Sequence, residues 1–147
     1  CAVGGTPIRR WQQNGDLYRA ALKRAKIAQK DGVIKGILWH QGESDSGKEV
    51  TAKIYEQQLH AMIAAWRKDL GNDSIPIVVG EMGRFYKRAK FKHVVDAALK
   101  ALPSKVKHAA WVSAEGLNHK GDVVHFNATS YREFGKRYAA KMQALIK

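Results

Sequence analysis

The stretch GILWHQGESDSGKEV, Gly36 to Val50, decides how the rest of the chain is read. Its first four residues end an apolar run, VIKGILW (33–39), which breaks abruptly into His40-Gln41-Gly42-Glu43-Ser44-Asp45. A short β-branched run bounded by turn residues suits a strand covered on both faces, the usual state of a parallel strand. IPIVVG (75–80) repeats the pattern, and HAAWVS (108–113) is a weaker third example.

Helical periodicity fills the intervals. Asp16 to Lys30 sets Leu17, Ala21, Leu22, Ala25 and Ala28 on one side, with Gly32 as a stop. Ile54, Leu59, Met62, Ile63, Trp66 and Leu70 predict an amphipathic helix that Gly71 ends. Phe91, Val94, Val95, Ala98, Leu99 and Leu102 predict a third, with Pro103 as its stop. Tyr131, Phe134, Tyr138, Met142 and Leu145 predict a fourth. Helices alternating with strands imply parallel strands joined by crossovers, a three-layer α/β/α sandwich.

The chain carries no linker, internal repeat or low-complexity segment, so residues 1–147 read as one domain. The opening CAVGG reads as the end of a strand and a glycine turn. Three complete strands make a thin sheet, so the expectation is the C-terminal portion of a larger domain whose N-terminal strand or strands are missing. An unpaired sheet edge and poor independent stability should follow.

Composition narrows the class. Apolar residues make up 45% and charged residues 27%, the balance of a globular rather than a disordered protein. No apolar run approaches the ~18 residues of a membrane span. The 26 Lys and Arg against 13 Asp and Glu leave a net charge of +13, which draws acidic polymers. These cations are spread along helical stretches with no nucleic-acid motif, so nucleic acid is not the expected partner. The single cysteine, Cys1, excludes an internal disulfide.

In open α/β sheets ligands sit beyond the carboxyl ends of the strands. Here those ends carry Gly4-Gly5-Thr6, His40-Gln41-Gly42-Glu43, Glu81-Met82-Gly83 and the loop from Ser113 to Phe126, so the unusual polar clusters share one rim. In the last of these, GDVVHF, Asp122 and His125 stand three apart in a loop that Asn127, as an N-cap, hands to a helix. That spacing lets a carboxylate fix an imidazole's tautomer and stabilise its cation. It is equally the content of an ordinary surface loop. The helical spacing of metal-binding His and Glu is absent, and no metal is expected. GESDSG lacks the second glycine of a nucleophile elbow, so Ser44 and Ser46 read as loop and cap residues.

CAVGGTPIRRW, IKGILWHQGESD, MIAAWRKDLG with IPIVVGEMG, and GDVVHFNATSYREFGKRYA together resemble the SGNH-hydrolase superfamily. The closest branch is carbohydrate esterase family 6 with the sialate O-acetylesterase-like domains. The resemblance implies a serine-type O-acetylesterase acting on an acetylated sugar or polysaccharide, with no cofactor, and favours a secreted or periplasmic protein. It places the acid–base at His125, with Asp122 orienting it and Glu43 as a second carboxylate partner or a loop anchor. Gly4 or Gly5 through its backbone, and Gln41 through its side chain, would supply the oxyanion hole. His40, Trp39 and Arg9, near the same rim, are candidate sugar contacts, although core packing suits Trp39 better.

Two departures accompany the resemblance. The family's nucleophile lies in a G-Q-S-N-type block upstream of AVGG, and no such block occurs here. Ser44, Ser46, Ser74, Ser104, Ser113 and Ser130 all lack that context, so the nucleophile is expected on a missing N-terminal segment or a separate chain. Val123 stands where the D-x-x-H loop often has glycine. Two other readings stay open: a non-catalytic basic domain binding an acidic glycan or nucleic acid, and a hydrolase using Cys1 as an N-terminal nucleophile.

Overall fold

The computed structural model describes residues 2–146. Strands β1 (Ile37–Trp39), β2 (Ile77–Gly80) and β3 (Ala109–Val112) form a parallel sheet in the order β1-β2-β3. Ile37 pairs with Ile77, and Ile77 in turn with Ala109. Helices α1 (Asp16–Ala28), α2 (Glu49–Leu70), α3 (Lys92–Lys105) and α4 (Ala128–Leu145) alternate with the strands, and a short 3-10 turn, Ile8–Trp11, precedes α1. No helix among the described residues is long and apolar enough to cross a membrane.

The alternation of β2 divides the core. Ile77 and Val79 point into one apolar cluster with Leu59, Met62, Leu99 and Leu102 of α2 and α3. Val78 points into the other, with Phe134 and Tyr138 of α4. Every residue of β2 is buried, which is why IPIVVG reads as a continuous apolar run. At the end of β2, a Cβ on Gly80 would lie 2.1 Å from the Tyr138 hydroxyl, which donates to the Trp39 carbonyl at 2.8 Å. Glycine is required there so that α4 can close on the sheet.

Three sequence expectations shift. The strand expected over 33–39 is confined to Ile37–Trp39, and Val33 is 74% exposed. Met142 packs against Gly36, where a Cβ would displace its thioether. Pro103 does not stop α3, because its last turn continues to Lys105 with the Val106 N–H bonded to the Leu102 carbonyl. Ala2 and Val3 lie outside any ladder, so CAVGG supplies a turn without a strand among the described residues.

The outer edge of β1 has no partner among the described residues. Leu38, in the middle of that strand, is 62% exposed. Apolar clefts of about 340 and 500 Å³ flank it, one against Trp11 and Trp66 and the other against Phe134 and Met142.

Candidate active site

The loop after β3 is built by its own backbone. His119 and Phe126 form an antiparallel bridge. The Lys120 N–H donates to the His125 carbonyl at 2.9 Å, and the Asn127 N–H to the Asn118 carbonyl at 3.0 Å. Phe126 anchors this narrow hairpin by packing on Phe85, Phe134 and Tyr131. Asn127 then caps α4, accepting from the Ser130 N–H at 2.8 Å, as its position in the sequence predicts.

Asp122 sits at the tip of the hairpin. Its Oδ1 accepts from the N–H groups of Val124 (2.9 Å) and His125 (2.8 Å), and its Oδ2 lies 2.6 Å from Nδ1 of His125. The His125 ring first, and then these backbone donors, hold the Asp122 carboxyl far below the usual carboxylate range. The imidazole of His125 is 58% exposed, and its Nε2 has no hydrogen-bond partner among the described residues. Val123 has φ 53°, a left-handed conformation that is strained for a β-branched residue. The Val124 N–H to Oδ1 of Asp122 (2.9 Å) and the Val123 N–H to Nδ1 of His119 (3.4 Å) hold it there.

The facing wall is assembled by side chains. Gln41 donates from Nε2 to the Thr6 carbonyl (3.0 Å) and to Oδ2 of Asp45 (2.6 Å). Asp45 Oδ2 also accepts from the Ile8 N–H at 2.9 Å. The Tyr55 hydroxyl lies 3.0 Å from Oε1 of Gln41 and accepts from Nε1 of Trp39. Thr6 donates to the Val3 carbonyl and accepts from Nε1 of Trp11, which pins the Gly4-Gly5 turn. Burial raises the pKa of Asp45 against the pull of Gln41, the Ile8 N–H and the Arg9 charge.

One cleft of about 230 Å³ lies between these walls, lined by Gly4, Gly5, His40, Gln41, Glu43 and His125, with Ser44 and Tyr131 beside them. Asp122 stands behind His125, outside that lining. Both amide hydrogens of Gln41 are engaged by Thr6 and Asp45, so donation to a substrate oxygen requires one of those bonds to open. Glu43 is 3.8 Å from Nε2 of His40, beyond hydrogen-bond range, and the carboxylate bonded to His125 is that of Asp122. His40 packs between Phe126 and Phe134, and burial lowers its pKa while Glu43 and Asp96 act to raise it.

Trp39 is 8% exposed and packs edge-on against Trp11, within the core rather than on this cleft. Arg9 is exposed and does not line the cleft either. Ser46 is buried and bonded to the Gly42 carbonyl; α2 starts after Lys48, so neither Ser44 nor Ser46 caps it. Cys1 lies outside the described residues. Glu81, on the same rim, binds the Ser113 hydroxyl (3.0 Å) and the Ala114 N–H (2.7 Å), bracing the end of β3 against β2. Burial alone would raise its pKa, but the donors of Ala114, Arg84 and Ser113 prevail and lower it.

The residues that sequence reasoning missed are the braces: Thr6, Asp45 and Tyr55. Asp45 stood in the decisive stretch itself, and its polar side chain six residues past the end of β1 was the available signal. Tyr55 carried none, being an aromatic on an amphipathic helix.

Comparisons with known proteins place the chain in a family and a fold. The family model described as carbohydrate esterase, sialic acid-specific acetylesterase matches residues 1–144. An Arabidopsis thaliana protein named as a probable carbohydrate esterase is 32% identical over 137 residues, covering 92% of this chain and 50% of its own length. The chain thus spans about half of that curated relative. An X-ray structure of an Arabidopsis thaliana protein superposes with a TM-score of 0.89 at 30% identity, over 98% of this chain and 59% of that one. A carbohydrate acetylesterase from Xanthomonas citri shares the fold, with a TM-score of 0.67 at 19% identity over 78% of this chain and 26% of its own.

Proposed function

The chain belongs to the carbohydrate esterase, sialic acid-specific acetylesterase family, and on that premise we propose that it carries the acid–base half of a serine-type carbohydrate O-acetylesterase. The observation that carries this reading is the 2.6 Å contact between Asp122 Oδ2 and His125 Nδ1, with Nε2 left free at the cleft. A serine hydroxyl attacks the acetyl carbonyl, and Nε2 of His125 takes its proton. Asp122 holds the Nδ1–H tautomer and stabilises the imidazolium. The tetrahedral oxyanion is met by a backbone N–H of the Gly4-Gly5 turn and by Gln41 once its amide is released from Thr6 or Asp45. Loss of one such donor typically costs ~3 kcal/mol in the barrier. His125 returns the proton to the departing sugar oxygen, then activates the water that frees acetate from the serine.

The nucleophile belongs, in this proposal, to a segment that precedes the sequence given and adds a strand to the outer edge of β1. The exposure of Leu38 and the two apolar clefts beside it support an additional strand there. Residues 1–147 are then the C-terminal portion of one esterase domain. Labelling the full gene product with a fluorophosphonate and mapping the modified peptide tests the assignment. The expected result is one labelled serine upstream of Ala2, with labelling lost in His125→Ala. Modification of Ser44, or loss of activity on alkylation of Cys1, would overturn it.

A further inference from the structure

The cations that run along the helices elsewhere gather on one loop that touches the back of the Asp122–His125 hairpin. The loop from Arg84 to His93, RFYKRAKFKH, leads from β2 into α3 and holds five Lys or Arg and no acidic residue. Arg84 is neutralised by Glu81 (3.0 Å) and Glu115 (3.2 Å), and Lys92 by Asp96. Lys87, Arg88 and Lys90 are exposed and have no ion-pair partner among the described residues. Arg88 reaches across to donate to the Asp122 carbonyl at 3.4 Å, so this unpaired charge lies against the residue that orients His125. A groove of about 270 Å³ runs along the loop between Tyr86, Lys87, Lys90 and His93, with Asp96, paired to Lys92, as its one acidic lining residue.

We infer that this loop is an anionic-sugar subsite, holding a carboxylate or sulfate of a glycan whose neighbouring acetylated residue lies in the His125 cleft. The inference rests on the esterase reading and names its substrate class. An acetyl ester is neutral and gives no reason for uncompensated cations against the hairpin that carries His125. A charged sugar does, because its anion meets Lys87 and Lys90 while its ring face lies on Tyr86. Nucleic acid fits less well: the charge is confined to one loop with one aromatic wall, without the stripe of stacking residues that tracks a strand.

The full gene product is assayed on acetylated polygalacturonate, acetylated dextran sulfate and acetylxylan, at salt from about 0.01 M to about 1 M, where the Debye length falls from roughly 30 to roughly 3 Å. The expected KM on at least one anionic polymer is about tenfold below that on acetylxylan at low salt, and the ratio approaches one at high salt. Lys87→Gln/Lys90→Gln reduces that ratio several-fold, whereas Lys23→Gln/Lys26→Gln on α1 leaves it in place. The anionic polymer with the lower KM identifies the group as carboxylate or sulfate. Equal KM values, or equal losses in both double variants, would overturn the subsite. Retardation in gels containing polygalacturonate, dextran sulfate or single-stranded DNA gives a readout without activity. Loss of retardation by the two anionic glycans in Lys87→Gln/Lys90→Gln keeps the subsite even if no ester is hydrolysed and the esterase reading fails. DNA retardation as strong as that by the glycans replaces it with a general polyanion surface.

Discussion

The two walls of the cleft are held in opposite ways. The Asp122–His125 hairpin is local and exposed: its internal bonds join residues two to nine positions apart and are made mostly by the backbone, and its tip is bent through a strained Val123. The Gln41–Asp45 wall is buried and long-range, tying the β1 loop to Thr6 and Ile8 across separations of 35 and 37 residues. In the proposed mechanism the first presents the group that exchanges protons with substrate, and the second fixes the surface against which the oxyanion develops. Damage to the first should therefore appear in rate, and damage to the second in stability.

The largest effect expected from that contrast is on the hairpin. Asp122→Asn leaves the hairpin's own backbone bonds in place but removes the carboxylate that selects the His125 tautomer. Its kcat should fall about 10⁴-fold, with a smaller drop in melting temperature than Asp45→Ala causes. A parallel loss of folding would erase the distinction between the walls. Asp45→Ala should do the reverse, stranding the Ile8 N–H and a Gln41 amide hydrogen in the interior and costing about 3 kcal/mol in a denaturant titration. Tyr55→Phe, which removes only the hydroxyl beside Gln41, should cost about 1 kcal/mol by the same measure.

The two carboxylates should also sign their presence oppositely in pH. The pKa of Asp122 is depressed by His125 and backbone donors, so its contribution is present above the unfolded value of about 3.9 and lost as pH falls towards the folded value. Asp45 is raised by burial, so its contribution is full below about 3.9 and lost as pH rises through the folded value. Unfolding free energies of wild type and of each Asp→Asn variant, compared across acidic pH, read the two slopes separately. Slopes of the same sign would contradict the burial difference between the walls. The smallest effect is at Val123→Gly, which relieves the left-handed strain at the cost of a looser unfolded chain and should stabilise by about 0.5 kcal/mol.

The local wall was the one legible in sequence. Asp122, His125 and the Asn127 cap are close along the chain, and the chemistry of each residue type implies its neighbour. The fold was legible for a related reason, since β2 carries its double-sided burial in an unbroken apolar run. What lay hidden depended on distant residues: Met142 packs on Gly36 from α4, and Trp39 is a core residue because Trp11 and Tyr55 meet it. Gln41 was visible as an amide at a strand end, but its engagement with Thr6 and Asp45 was not, because no spacing encodes it.

The measurement that bears most directly on this assignment is acetate release from an acetylated polysaccharide by the full gene product, by its His125→Ala variant and by residues 1–147 alone. Release by the full product, reduced by at least about 10³-fold in His125→Ala and absent from residues 1–147, is the expected result. Undiminished release by His125→Ala, or release by residues 1–147 alone, would contradict it.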